Sequence, residues 1–301
     1  MSQKQFTEFE NQDYGVVIIE LVKDIYYSGV STSSKLVLIR KFTELISRKI
    51  LNLGEGAKMT LGEIAHPNPK KFPRTYKLWE KLDASFRDDF SKIVQEIAEL
   101  CNQYAHTQVN KPASDEEYLR AEELVSELFS LLFVKYFTKF ELTVLSDPNV
   151  LTAFSHLPPV IRYKTLEKLM GEKAISELNV RILDKLAKVK YQSLDEAFIW
   201  LLKNREEMID VSYPTSEEIE NFIGLHDDKC SLALWEYNNA FDLLLDKLLD
   251  PKILVNESGQ LYDDFERAVV YFNGFNCELY LTGTEEREEF KDLIEFAFLG
   301  R

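Results

Sequence analysis

The chain has 301 residues, of which 45% are hydrophobic and 29% are charged, a composition typical of a folded protein with one large or two ordinary domains. No apolar run approaches the roughly 18 residues that a membrane span requires. The N-terminus, MSQKQFTEFENQD, lacks the apolar core of a signal peptide. We therefore expect a cytoplasmic protein without membrane contacts.

The net charge of −15 is distributed unevenly along the chain. Residues 1–140 carry 19 basic and 20 acidic side chains, whereas residues 141–301 carry 17 and 31. Because acidic surfaces repel phosphates, a polyanion such as RNA is expected to bind the N-terminal half and to be repelled by the other. The acidic half suits a protein effector with a basic surface.

Apolar residues at helical spacing predict a series of helices in the N-terminal half. These are DYGVVIIELVKDIYYSG, the segment KLVLIRKFTELISRKI after STSS, TLGEIAH, residues 83–106, and a long helix from Ser114 to KYFTKF. Proline interrupts the connection PNPKKFPRTYKLW, so it cannot be one continuous helix. Ser114 and Glu117 have the spacing of a capping box at the start of the long helix.

The C-terminal half follows a predicted boundary near residues 146–149 and is again rich in helical patterns. Ser193/Glu196 and Thr215/Glu218 also have capping-box spacing. One segment, CELYLTG, is predicted as a short strand that pairs with KILV or with another chain. The sequence thus predicts an all-α protein: a helical bundle at 1–145, an acidic helical domain at 146–301, and at most one short hairpin near the C-terminus.

Polar residues close the predicted helix at EIAELCNQYAHTQ. Asn102 and His106 lie one turn apart, on a strip beside the apolar residues of that helix. Two interpretations stay open at this point. The pair can satisfy backbone groups at a helix end, or it can form a polar site that faces another helix or subunit.

Segment 30–140 resembles a prokaryotic domain-of-unknown-function family within the HEPN group of helical bundles, found in defence and restriction-associated proteins. Its members combine an R-x-x-x-E helix with a later helix that ends in an N-x-x-x-H signature. The matching residues here are Arg40 with Glu44, and Asn102 with His106. The resemblance implies an antiparallel bundle that dimerises through this segment.

The same resemblance implies metal-independent RNA cleavage, without cofactors, in active members of the group. His106 would then transfer protons, Asn102 would position the phosphate, and a cation would stabilise the transition state. The arginine that usually precedes the motif is missing, because residue 101 is cysteine. Arg40 can replace it from the earlier helix, or it can simply pair with Glu44 one turn away.

The densest basic stretch of the sequence interleaves cations with aromatic rings between residues 70 and 81. Cations that bind phosphates and rings that stack on bases are the chemistry of single-strand binding. The predicted nucleic-acid-binding residues are Lys70, Lys71, Phe72, Arg74, Tyr76 and Lys77. The alternative is that the rings fill the bundle and the lysines are merely solvated.

No metal site is expected, because His226, Asp227, Asp228 and Cys230 lack a second group of ligands. The sequence therefore favours a defence or stress protein that forms a homodimer through its N-terminal bundle and binds nucleic acid or a partner protein, with a degenerate catalytic motif. One alternative is a metal-independent endoribonuclease. Another is a scaffold subunit that recruits an effector through its acidic half.

Overall fold

The computed structural model describes residues 7–105, 110–142, 146–171, 194–210, 237–249 and 265–301. Within these ranges the regular structure is helical and no residue belongs to a β-strand, which confirms the predicted all-α class. The helices of the first half are α1 (Asn11–Val22), followed by a π-helical turn (Lys23–Tyr27), α2 (Thr32–Ile50), α3 (Leu61–Ala65), α4 (Pro73–Trp79), α5 (Ala84–Ala105) and α6 (Asp115–Lys139). The later helices are α7 (Pro148–Ser155), α8 (Pro159–Met170), α9 (Leu194–Lys203), α10 (Arg205–Ile209), α11 (Ala240–Leu249), α12 (Phe265–Asn273), α13 (Cys277–Tyr280) and α14 (Glu285–Phe298). None of the described helices has an apolar stretch long enough to cross a bilayer.

Helix α2 begins at a serine cap and buries one apolar face. The Ser31 hydroxyl accepts a hydrogen bond from the Ser34 amide at 3.3 Å, satisfying one of the unpaired donors of the first turn. The apolar residues that the sequence places on one face are all buried, namely Leu36, Ile39, Phe42, Ile46 and Ile50. This face packs against α5, and α3 packs against α5 as well.

The predicted capping box at the start of α6 is confirmed. The Glu117 amide donates to the Ser114 hydroxyl at 3.2 Å, and the Ser114 amide donates to the Glu117 carboxylate at 2.8 Å. The two other predicted capping boxes, Ser193/Glu196 and Thr215/Glu218, include residues outside the described ranges. Two stretches of the C-terminal half whose apolar spacing predicts helices, AISELNVRILDKLAKVK and TSEEIENFI, also lie outside them.

The chain forms two compact units, and the first one combines segments from both ends of the sequence. It contains residues Met1–Phe133 and Asp292–Arg301, and the second contains Val134–Lys291. The predicted division into 1–145 and 146–301 stays a prediction. Helix α7 begins at the predicted boundary. Asp147 caps this helix by accepting from the Asn149 amide at 2.8 Å, and Pro148 is the first residue of the helix.

In the first unit, aromatic rings connect α2 and α6 with the last residues of the chain. The Phe129 ring lies 5.7 Å from that of Phe42 and 5.9 Å from that of Phe296, measured between centroids. Lys49 reaches the same C-terminal segment, with its ammonium 2.5 Å from the Asp292 carboxylate. These contacts fix residues 292–301 in the core of the first unit.

The second unit has its own apolar contacts. The Phe137 ring lies 5.1 Å from that of Phe154, and Tyr136 lies 5.0 Å from Phe290. A further cluster joins α9, α10 and α11 through Ala197, Leu201, Met208, Phe241 and Leu244, among others.

The prediction of a strand at CELYLTG is wrong. Residues Cys277–Tyr280 form the short helix α13, whose first turn is capped by the Asn276 side chain accepting from the Leu279 amide at 3.1 Å. An asparagine that satisfies a first-turn amide favours a helical turn over the extended conformation predicted for this segment. The proposed partner strand, KILV, lies outside the described residues.

Candidate functional site

The structure brings together two of the three residues that the sequence singled out for chemistry. Arg40 on α2 donates from Nε to the Oδ1 of Asn102 on α5, with 2.6 Å between the two atoms. Both side chains are half-buried, so the pair lies at the edge of the packed bundle. The packing of α2 against α5 thus brings a cation to Asn102 near the end of α5.

The helical pair between Arg40 and Glu44, the other interpretation of these two residues, does not form. Glu44 instead lies 3.7 Å from Arg48 on the next turn. Beyond the bond to Asn102, no described residue accepts a hydrogen bond from Arg40. A guanidinium has five N–H donors, and the described residues accept from only one of those of Arg40.

His106 lies outside the described residues. Its role as the proton-transferring group therefore stays a prediction, as do the catalytic roles of Arg40 and Asn102. The residue at the missing motif position, Cys101, is fully buried, and burial raises the pKa of its thiol to about 12 against the opposing charge of Arg40. The thiol is therefore held in its protonated form at neutral pH, in which it is a poor nucleophile.

The end of α5 is held in place by the start of α6. Tyr104 donates its hydroxyl proton to the Glu117 carboxylate at 2.8 Å, and the Gln103 amide lies 3.3 Å from the other oxygen of the same group. The Ser114 amide, and after it the Tyr104 hydroxyl, lower the pKa of Glu117. One capping carboxylate therefore orients the turn of α5 that carries Asn102.

The basic-aromatic residues of the sequence form a second surface on the first unit. We call Lys70, Lys71, Phe72, Arg74, Tyr76 and Lys77 the basic surface. Its four cations are exposed and its two rings are half-buried. The Asn68 side chain shapes the loop by accepting from the amides of Lys70 and Lys71 at 3.0 and 3.1 Å, and Pro73 then starts α4.

The neighbouring Trp79 has a structural role. Its indole N–H donates to the Ser91 hydroxyl on α5 at 3.0 Å, and the Arg87 guanidinium covers the ring at 4.8 Å. Tyr76 packs beside it, with 5.5 Å between the ring centroids. Trp79 therefore anchors α4 to the bundle, while Tyr76 lies at the edge of the basic surface.

A cavity of about 390 Å³ opens beside the basic surface. Its walls come from the loop before α3, from α3 itself, and from the start of α4. They consist of Gly56, Lys58, Glu63, Lys71, Phe72, Pro73, Arg74 and Thr75. Sequence reasoning missed Lys58 and Glu63, because neither follows a motif and both are more than ten residues from Arg74.

The comparisons with known proteins add no relative: the chain matches no family model, no curated protein and no solved structure at a significant level. The candidate metal ligands His226, Asp227, Asp228 and Cys230 lie outside the described residues.

Proposed function

We propose that this chain is a prokaryotic defence or stress protein of the cytoplasm whose HEPN-like bundle forms a homodimer and binds single-stranded RNA without efficient cleavage. The observation that carries the proposal is the basic surface, where exposed cations surround two aromatic rings. Lys70, Lys71 and Lys77 have no carboxylate within ion-pairing distance among the described residues. Their charges are therefore available to phosphates.

Binding without efficient cleavage is supported by the arrangement around Asn102. An active site for RNA cleavage needs a cation beside the phosphate at the moment when charge develops. In this chain the position where the motif usually has arginine is the buried Cys101, and the cation that bonds Asn102 is Arg40 on α2 instead. A cation that comes from another helix in place of the motif arginine favours a site that has lost efficiency.

Charge reversal tests the binding proposal. Replacing Lys70, Lys71 and Arg74 by glutamate is expected to weaken binding of a single-stranded RNA on the order of 10²-fold at low salt. The dependence of log K on log salt should become shallower by about 2, because each lost phosphate contact removes about 0.7 from the slope. Fluorescence anisotropy with a labelled oligonucleotide at several salt concentrations measures both quantities.

The matched control reverses three exposed lysines elsewhere in the same unit, Lys23, Lys41 and Lys92. It changes the net charge by the same amount and is expected to retain most of the affinity. Equal losses in both triple variants would mean that RNA responds only to total charge. A different outcome is that the wild-type protein binds no RNA but binds a protein, and that charge reversal of the basic surface abolishes this binding. The surface is then a protein interface.

The alternative function, a metal-independent endoribonuclease, is favoured by one observation: the 2.6 Å bond that brings the Arg40 cation to Asn102. If the enzyme is active, purified protein cleaves structured RNA in EDTA, and His106→Ala and Arg40→Ala each lower the rate on the order of 10²-fold or more. Lys41→Ala, on the same helix and exposed, serves as the control and should leave the rate unchanged. If the wild-type protein leaves the RNA uncleaved, the endoribonuclease function is excluded.

A further inference from the structure

The cavity beside the basic surface combines three kinds of chemical group in one place. Lys58, Lys71 and Arg74 contribute positive charge, Glu63 contributes a carboxylate, and Phe72 contributes an aromatic ring. Three cations and one carboxylate leave a net charge of +2 on the walls. A phosphomonoester carries about −1.5 to −2 at neutral pH, whereas a phosphodiester inside a strand carries only one negative charge.

The cations of the cavity are suited to an external anion. Lys58 and Lys71 are exposed, and neither has a carboxylate partner within ion-pairing distance among the described residues. Glu63 forms no ion pair with either lysine, and its oxygens accept from the hydroxyl groups of Thr75 at 2.6 Å and Thr60 at 3.4 Å. The charges of Lys58 and Lys71 are therefore available to an external dianion.

The carboxylate and the ring complete the set of groups that recognise a nucleotide. A carboxylate accepts hydrogen bonds from ribose hydroxyls, and Glu63 keeps acceptor capacity beyond its two hydroxyl donors. A half-buried ring such as Phe72 gives a base a surface for stacking. The volume of about 390 Å³ lies at the lower end of the about 300–1,000 Å³ that is usual for small-molecule pockets, which suits one nucleotide.

We propose that this cavity binds the phosphorylated terminal nucleotide of an RNA strand, with the phosphate between Lys58, Lys71 and Arg74 and the ribose at Glu63. The inference rests on the proposed RNA binding and adds what the basic surface alone does not give: a preference for strand ends that bear a phosphate, and for RNA over DNA. The following nucleotides then extend along Lys70, Tyr76 and Lys77.

The test compares one ten-nucleotide RNA carrying a 5′-phosphate, a 3′-phosphate or no terminal phosphate, with the full-length protein. At least one of the two phosphorylated strands is expected to bind about tenfold more tightly than the unphosphorylated strand. Lys58→Glu and the milder Lys58→Gln should abolish this difference. They should weaken the unphosphorylated strand less than the phosphorylated ones, because that strand offers Lys58 no terminal dianion. Lys41→Glu is the control and should retain the preference.

Glu63→Gln separates sugar recognition from phosphate recognition. The amide keeps the hydrogen bond from Thr75 but accepts more weakly from a ribose, so the variant should keep the phosphate preference and bind phosphorylated RNA and DNA more equally. If wild-type protein binds all three RNA strands equally, the cavity inference is overturned while RNA binding stands. If no strand binds, the proposed function fails and the inference fails with it.

Discussion

Replacing Phe42 by alanine is expected to lower the free energy of unfolding of the first unit by about 3–5 kcal/mol. The Phe42 side chain is 1% exposed and its ring contacts Phe129, so the substitution leaves a cavity that the surrounding helices fill only in part. Urea titration measures the loss. Trp79 fluorescence reports on the first unit once Trp200 and Trp235 are replaced by phenylalanine.

Phe72→Ala is the matched control, because the same aromatic group is removed from a half-buried position on the wall of the surface cavity. Its cost is expected to be about 1 kcal/mol or less. Similar losses in both variants would show that Phe72 is a core residue, which would also weaken its proposed role as a stacking surface for a base.

The second large effect concerns the contact between Lys49 and Asp292. The Lys49 side chain is 5% exposed, whereas that of Asp292 is 46% exposed. Asp292→Ala leaves a buried ammonium without its carboxylate and should cost about 2 kcal/mol, somewhat less than the loss of one partner from a fully buried pair. Lys49→Met should cost less, because methionine fits beside the rings of Phe9 and Phe296 and the remaining carboxylate is hydrated.

The loss in Asp292→Ala should also depend on pH. Burial lowers the pKa of Lys49 below the ordinary 10.5, and Asp292 opposes this effect, so the pKa falls further in the variant. The deficit in unfolding free energy is therefore largest at neutral pH and narrows as the pH rises through the folded-state pKa, because a neutral amine no longer needs the carboxylate. Urea titrations of both proteins at several pH values measure this trend. A deficit that widens with pH, or a larger loss in Lys49→Met, would contradict this account.

Local rules predicted the helices of the first half well, because each rule acts within a few residues. The apolar spacing on α2 names five residues that are all buried, and the Ser114/Glu117 capping box forms as its spacing requires. The same rules failed at α13, where a short strand was predicted and the Asn276 side chain caps a helical turn. Over four residues, periodicity is weaker evidence than a cap.

The candidate sites were predicted only in part, because they depend on contacts between distant residues. Sequence reasoning selected Arg40 and Asn102 as candidate site residues, but it did not predict the hydrogen bond between them. That they share a hydrogen bond across 62 residues follows from the packing of α2 against α5. The basic surface was visible because its residues are consecutive. Lys58 and Glu63 joined it only in the fold, and no local pattern distinguishes them from ordinary solvated charges.

The assignment of residues 292–301 to the first unit affects how the protein folds during synthesis. When the ribosome has completed residue 133, the segment that supplies Phe296 and Asp292 is still more than 150 residues away from being translated. Until it emerges, Phe129 lacks one ring partner and the Lys49 ammonium lacks its carboxylate. The core of the first unit is therefore incomplete until translation ends. During that time its N-terminal helices expose apolar surface that a chaperone can cover.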